Sequence, residues 1–198
     1  VGGAGFIGSN IVDKLVEQNH EVVVIDNLST GKRENINPKV QLEYMDISDP
    51  RQDKNMTEVM KGADSVFLLA AKARVQPSIE NPVEYEQNNT IGTLNVLKCA
   101  SDAGVKRVVY SASSSAYGNT DKLPSKESDP VNPLSPYGAQ KYYGEVMCKM
   151  FSQVYDIETV SLRYFNIYGE RQNVGGAYAM VIGIFADQRL RGEPMTIR

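Results

Sequence analysis

Apolar and polar positions follow two rhythms along this chain, and the exchange between them predicts its elements. Short apolar runs read as strands at Glu21–Asp26, Val40–Met45, Ser65–Ala70, Arg107–Ser111 and Thr159–Arg163. Two runs, Val22-Val23-Val24-Ile25 and Val66-Phe67-Leu68-Leu69, are continuous rather than alternating. That pattern suits parallel strands covered on both faces by helices. Between them, helical periodicity predicts helices over Phe6–Glu17, Pro82–Ala103, Pro136–Tyr155 and Tyr178–Gly192, with a short one near Thr57–Lys61. Strand and helix in alternation imply an α/β fold, an open parallel sheet wound by right-handed crossovers. No period repeats and no segment is of low complexity.

The first turn carries the clearest chemical signal. Gly2, Gly5 and Gly8 are spaced G-x-x-G-x-x-G and lead through Phe6 and Ile7 into the first helix. Glycines permit a tight turn and a close approach of backbone to a pyrophosphate, and the helix N-terminus offers free N–H groups to its charge. Spaced glycines also serve ordinary turns, so the context decides. Asp26 closes the next strand, 18 residues past Gly8, where a carboxylate can accept hydrogen bonds from adenosine ribose hydroxyls. The same charge repels a 2′-phosphate, which favours NAD over NADP. Asn27, Ser29, Thr30 and Gly31 follow as candidates to wrap the adenosine side. Asp46-Ile47, after the predicted strand Val40–Met45, are candidates to flank the adenine, with a cap the alternative role for Asp46.

Both ends of the pattern read as cut. A strand is expected before the glycine loop, and Pro194-Met195-Thr196-Ile197-Arg198 reads as an unfinished one. The expected fold class is therefore a Rossmann-type doubly wound parallel sheet lacking its first strand and its C-terminal substrate domain. Residues 1–198 are expected to form an NAD-binding domain incomplete at both ends, with 174–198 beginning the substrate-binding part.

A second constellation lies downstream. Tyr137 and Lys141 are four apart on a predicted helix and so share a face. An ammonium near a phenol favours the phenolate and draws its pKa from about 10 toward working pH, which makes tyrosine a usable acid or base. This spacing arises easily by chance. Ser113, near the end of the fourth predicted strand, adds a hydroxyl on the side of the sheet where ligand crevices form.

Composition narrows the alternatives. The chain has 198 residues, 41% hydrophobic and 23% charged, enough for one sizeable core. The 21 basic and 24 acidic side chains leave a net charge of −3, and without clustered Lys and Arg no nucleic-acid partner is expected. Cys99 and Cys148 lack metal or redox spacing and read as buried thiols of a reducing compartment. His20 is the sole histidine, so neither a histidine base nor a metal site is expected. No apolar run is long enough for a bilayer and no signal peptide opens the chain, so the expected location is cytoplasmic, without a membrane partner.

Taken in order, Gly2-Gly3-Ala4-Gly5-Phe6-Ile7-Gly8, Asp26-Asn27-Leu28, Leu69-Ala70-Ala71, Asn89-Thr90-Ile91-Gly92-Thr93, Ser113 four before Tyr117-Gly118, Tyr137 with Lys141, and Leu162-Arg163-Tyr164-Phe165-Asn166 resemble the extended short-chain dehydrogenase/reductases. Within them the chain is most similar to NAD-dependent UDP-hexose 4-epimerases. Asn132-Pro133-Leu134-Ser135-Pro136-Tyr137 and Gly176-Ala177-Tyr178-Ala179 resemble the bacterial enzymes for UDP-glucose and UDP-N-acetylglucosamine. The resemblance implies that Tyr137 is the general base, that Lys141 is its electrostatic partner and a ligand of the nicotinamide ribose, and that Ser113 orients the substrate. It implies cofactor-lining roles for Leu69, Ala70, Ala71, Lys72, Asn89 and Ser111, with Phe165 near the nicotinamide and Asn166 on the substrate diphosphate. A homodimer through the helices at Pro82–Ala103 and Pro136–Tyr155 is implied in the same way.

Two positions depart from the pattern. Leu68 stands where many relatives have His, and Arg74 where a small residue is commoner, near the sugar pocket; a solvated loop arginine is the other reading of Arg74. Dehydratases of this kind carry Asp and Glu where Ser114 and Ser115 stand, and decarboxylases a Glu at the second. The expected activity is therefore NAD-dependent 4-epimerisation of a UDP-sugar through a 4-keto intermediate. A uronate 4-epimerase, a dehydratase or decarboxylase, and a non-catalytic NAD-binding module stand as alternatives.

Overall fold

The computed structural model describes residues 1–120, 122–173 and 181–195. Five parallel strands form its centre: β1 (Val23–Asp26), β2 (Gln41–Tyr44), β3 (Ser65–Leu68), β4 (Arg107–Ser113) and β5 (Glu158–Tyr164). β1 pairs with β2, Val24 opposite Leu42. β4 lies between β3 and β5, with Val108 opposite Val66 and Val109 opposite Val160. Val1 and Gly2 stand between the two groups. The Gly2 amide donates to the Ile25 carbonyl at 2.7 Å, and the Leu69 and Ala70 amides donate to the Val1 carbonyl at 2.9 and 3.2 Å. The glycine loop thus leaves the sheet where the strands depart to either side, the switch point at which open α/β sheets hold ligands.

Helices α1 (Phe6–Glu17), α2 (Asp53–Met60), α3 (Val75–Glu80), α4 (Pro82–Glu86), α5 (Gly92–Asp102), α6 (Pro136–Val154) and α7 (Val181–Leu190) complete the architecture. Each predicted strand is present, with shifted ends. The third stops at Leu68 rather than Ala70 because the next two amides turn to Val1. The short helix near Thr57–Lys61 begins earlier, at Asp53, after a 3₁₀ turn at Pro50–Gln52 whose Arg51 amide is bound by the Asp49 side chain. The single helix expected over Pro82–Ala103 is interrupted by a π-helical turn at Gln87–Ile91. α3 has no counterpart among the predicted elements; six residues containing a proline carry too little periodicity. Of the helix expected at Tyr178–Gly192, its first residues lie outside the described residues, as do Gly176–Ala179 and the Thr196–Arg198 end of the expected last strand.

The core forms where strand faces meet helix stripes. Ile25, Val66, Leu68, Val108 and Tyr110 are buried against Met56 and Met60 of α2, Val96 and Leu97 of α5, and Phe151 of α6. Both cysteines are free and buried. Among the described residues no helix is long and apolar enough to cross a membrane.

α6 needs the most exact seating, because it carries Tyr137 and Lys141. Its start is set by Pro136 at the first turn and by Ser135, whose Oγ accepts from the Gly138 amide at 3.1 Å. Midway, Gly144 lies against Tyr110, so closely that an added Cβ falls 2.2 Å from the phenol oxygen. Tyr110 is 1% exposed and cannot swing away. Gly144→Ala is therefore expected to destabilise the fold by about 1–3 kcal/mol through overpacking, read as a lower midpoint in thermal or urea unfolding. An unchanged midpoint contradicts this seating.

Candidate active site

The glycine loop offers an anion cradle. α1 opens at Gly5 with no side-chain cap and no acidic residue in its first turn. Its first intrahelical acceptor takes the Ser9 amide, and the amides of Phe6, Ile7 and Gly8 find no acceptor among the described residues. A Cβ on Gly2, whose φ is +84°, would lie 2.4 Å from the Ala70 nitrogen, and one on Gly8 would lie 2.1 Å from the Gly2 carbonyl oxygen. A Cβ on Gly5 would meet nothing closer than 3.5 Å, so that side of the loop is open to a ligand. Uncapped amides, a helix dipole and an open glycine face together fit a dinucleotide pyrophosphate.

Asp26 joins this cradle to β1. One carboxylate oxygen accepts from the Ala4 amide at 2.9 Å and the other from the Leu28 amide at 2.8 Å. A structural anchoring role thus accompanies the expected ribose contact. Asn27 donates to Asp46 at 3.0 Å, and the other Asp46 oxygen takes the Ser48 amide and hydroxyl. Asp46 caps a turn rather than a helix. The Asn27 side-chain carbonyl takes the Ser29 amide at 3.0 Å. Thr30 is exposed and Gly31 half-buried, and a Cβ on Gly31 would press on Ala4 at 2.8 Å. The Ile47 side chain is buried in the core.

After β3, residues 69–74 form the loop that faces the catalytic side. Asn89, from the π-helical turn, holds it: its Oδ1 accepts from the Lys72 amide at 2.8 Å, while its Nδ2 donates to the Lys72 carbonyl and to Gln140 Oε1, both at 3.0 Å. Asn89 is 1% exposed. The π turn, a feature frequent at functional sites, aims it at the loop, and it acts there as a brace. The Lys72 ammonium pairs with Glu84, so its side chain points to that carboxylate. Gln140, absent from the sequence reading, links Asn89 to Glu86. The one signal for it was a polar residue on a helix face that meets the core.

Ser113 and Tyr137 stand together at the end of β4, and the Lys141 ammonium turns to the strand itself. Ser113 ends β4, buried, its Oγ accepting from the Ser115 amide at 3.1 Å. Tyr137 lies in the first turn of α6, half-buried, its amide donating to Ser78 Oγ of α3 at 3.1 Å. Burial raises the Tyr137 phenol above its ordinary pKa, while the Ser113 hydroxyl and the charge of Arg74 oppose that rise. Lys141, 5% exposed, donates to the Ser111 carbonyl at 2.8 Å and stands 5.1 Å over the Tyr110 ring. Lys141 thus spends its ammonium on a backbone carbonyl, where the sequence pointed to the Tyr137 phenol. Arg74 is half-buried at the start of α3 with φ +100°.

Phe165 follows β5 and is 61% exposed. It stacks on Tyr117 with ring centres 6.3 Å apart, and Arg163, paired with Glu145 at 2.7 Å, covers Tyr117 at 4.6 Å. Asn166 is exposed and meets no partner among the described residues. Ser114 and Ser115 form a 3₁₀ turn beside Ser113, so no carboxylate stands there.

The chain belongs to the NAD dependent epimerase/dehydratase family, whose model matches residues 1–198. The UDP-glucose 4-epimerase of Streptococcus mutans is 38% identical over 172 residues, covering 86% of this chain and 52% of that protein. A UDP-N-acetylglucosamine 4-epimerase of Methanobrevibacter ruminantium M1, solved with UDP-N-acetylmuramic acid, superposes with a TM-score of 0.90 at 40% identity, covering 97% of this chain and 62% of that one. The Thermus thermophilus UDP-glucose 4-epimerase, solved with NAD, gives a TM-score of 0.89 at 38% identity, covering 99% and 63%. The chain therefore spans between half and two thirds of the length of these relatives.

Lys141 gives this site a pH signature. Burial pushes its ammonium down to about 8 from 10.5. Between those values the folded state releases a proton that the unfolded chain keeps, so the Lys141 contribution to stability rises with pH across that window. Below about 8 both states are charged and the cost of burial is felt in full. Lys141→Met is expected to remove this rise, measured as the pH dependence of urea unfolding. Parallel profiles for the two proteins across the window would contradict it.

Proposed function

We propose that the protein to which these residues belong is an NAD-dependent isomerase that inverts C4 of a UDP-linked hexose, UDP-glucose/UDP-galactose or their N-acetyl forms. The observation that carries this reading is the meeting of Ser113 and Tyr137 at the carboxyl edge of β4, on the same side of the sheet as the open glycine cradle. Residues 1–198 serve as the dinucleotide-binding part, and 174–198 begin the substrate-binding part. The solved relatives, two of them named for UDP-sugar substrates and one holding NAD, support the assignment.

Phe6, Ile7 and Gly8 would hold the pyrophosphate through their main-chain N–H groups, with Gly2 and Gly5 letting the backbone come close to it. Asp26 accepts from the ribose hydroxyls, and Lys141 reaches the second ribose. When bound, the nicotinamide supplies a reversible hydride acceptor. Ser113 donates to the sugar C4 oxygen and fixes it beside the phenol. Tyr137, as phenolate, takes the C4 hydroxyl proton while C4 loses hydride and becomes a ketone. Turning the 4-keto sugar presents its other face, and Tyr137 returns the proton as hydride comes back, so no net oxidation occurs. Ser114 and Ser115 offer no acid or base to expel a second hydroxyl, which disfavours dehydration. Asn166 is assigned to the substrate diphosphate and Phe165 to the nicotinamide face. A cytoplasmic homodimer is part of the proposal.

Tyr137→Phe is expected to lower interconversion of UDP-glucose and UDP-galactose more than about 100-fold, while NAD stays with the protein through gel filtration. Near-normal turnover would remove Tyr137 as the base. A second expectation concerns Asp26→Ala, which loses both the ribose acceptor and the anchor of Ala4 and Leu28. NAD affinity should fall and the preference for NAD over NADP should narrow, measured by titration calorimetry; an unaltered preference assigns the discrimination to another group.

A further inference from the structure

One stripe of α1 is fastened by two other segments of the chain, through contacts that the reaction above does not use. Phe6, Asn10 and Asp13 follow one another at helical spacing and share that stripe. Asn10 Nδ2 donates to the Phe6 carbonyl at 2.9 Å and to the Glu170 carbonyl at 3.0 Å. Asp13 gives one carboxylate oxygen to Arg171 and the other to Asn37 Nδ2, at 2.7 Å. A Cβ on Gly169 would lie 3.7 Å from the Phe6 ring, so the segment after β5 also touches the first turn of the helix.

This segment has a fixed shape. The Gln172 amide donates to the Gly169 carbonyl at 3.3 Å, and Arg171 sits at φ +65°, which is uncommon for a residue other than glycine. Such a conformation persists where its surroundings hold it. Here Asp13 holds the guanidinium, and Asn10 holds the carbonyl one residue earlier. The Arg171 and Asp13 side chains are 30% and 27% exposed. Water therefore screens their attraction less than that of an open pair such as Lys98 and Asp102, 51% and 48% exposed on α5.

We propose that Arg171 and Asp13 are positioning residues, a clasp that holds the segment after β5 against the cofactor helix and so couples retention of NAD to binding of the sugar nucleotide. This rests on the glycine loop being the NAD cradle and on Phe165 and Asn166 meeting nicotinamide and substrate diphosphate. Those two residues follow the carboxyl end of β5, and the same segment ends on α1, whose amides at residues 6–8 are the open donors. Opening the clasp releases Gly169 from the Phe6 ring and Glu170 from Asn10, and it touches no group that reacts. NAD then leaves faster and Asn166 is less firmly placed, while Ser113 and Tyr137 at the end of β4 keep their positions.

The test uses the full-length, NAD-loaded protein, with release followed by exchange against labelled NAD and turnover expressed per bound NAD. Arg171→Gln is expected to speed release about fivefold and to raise KM for UDP-glucose about threefold, with kcat within about twofold of the parent. Asp13→Asn should do the same, and the double variant should release NAD no faster than either single one, as expected of a pair. Arg171→Lys, which keeps a charge, should recover most of the loss. Lys98→Gln opens an ion pair away from the site and should release NAD at the parent rate. Parent-like release and KM in Arg171→Gln, or a loss confined to kcat, overturns the clasp, as does equally fast release from Lys98→Gln. A parent protein that holds no NAD overturns the underlying reading instead.

Discussion

A buried ammonium must be answered by a polar partner, and in this chain the answer organises the site. Lys141 donates to the Ser111 carbonyl at 2.8 Å and stands over the Tyr110 ring. An unpaired charge at that depth would cost several kcal/mol, so the bond fixes α6 across β4. Gly144, less than a turn further on, lets the helix come close enough for it, because any side chain there would strike Tyr110. With the helix pinned at Lys141, the residue one turn earlier, Tyr137, arrives at the end of β4 beside Ser113.

The polar residues around this seat divide into those that brace and those that are free to meet a ligand. Asn89 commits both ends of its amide to Lys72 and Gln140, and Asp26 gives one oxygen to the glycine loop at Ala4 and the other to the turn after β1 at Leu28. Asn27 and Asp46 pair with each other. Each buried polar atom left without such a partner would lose about 1–3 kcal/mol. The bracing explains how short loops at the sheet's edge hold their shape, and it leaves main-chain amides at residues 6–8 as the open donors of the cradle. Asp26 retains unused lone pairs, because a carboxylate can accept about four hydrogen bonds and it takes one at each oxygen.

Most of the sheet was legible in the sequence because continuous apolar runs such as Val22–Ile25 have few other solutions. Long helices were legible for the same reason: Phe6–Glu17 carries a sustained apolar stripe and is seen with those bounds. α3 was not, since Val75–Glu80 is shorter than the window in which a 3.6-residue period declares itself. The π turn at Gln87–Ile91 was hidden too, because an extra residue in a helical turn leaves no compositional mark. In the site, Ser113, Tyr137 and Lys141 could be named from spacing and order. What each charge faces could not be, because it depends on χ angles and on which loop closes over which helix. Lys141 reads as the electrostatic partner of Tyr137, yet its ammonium is bound to the Ser111 carbonyl. Arg74 reads as an unusual loop residue, and only the folded loop shows its positive φ at the start of α3.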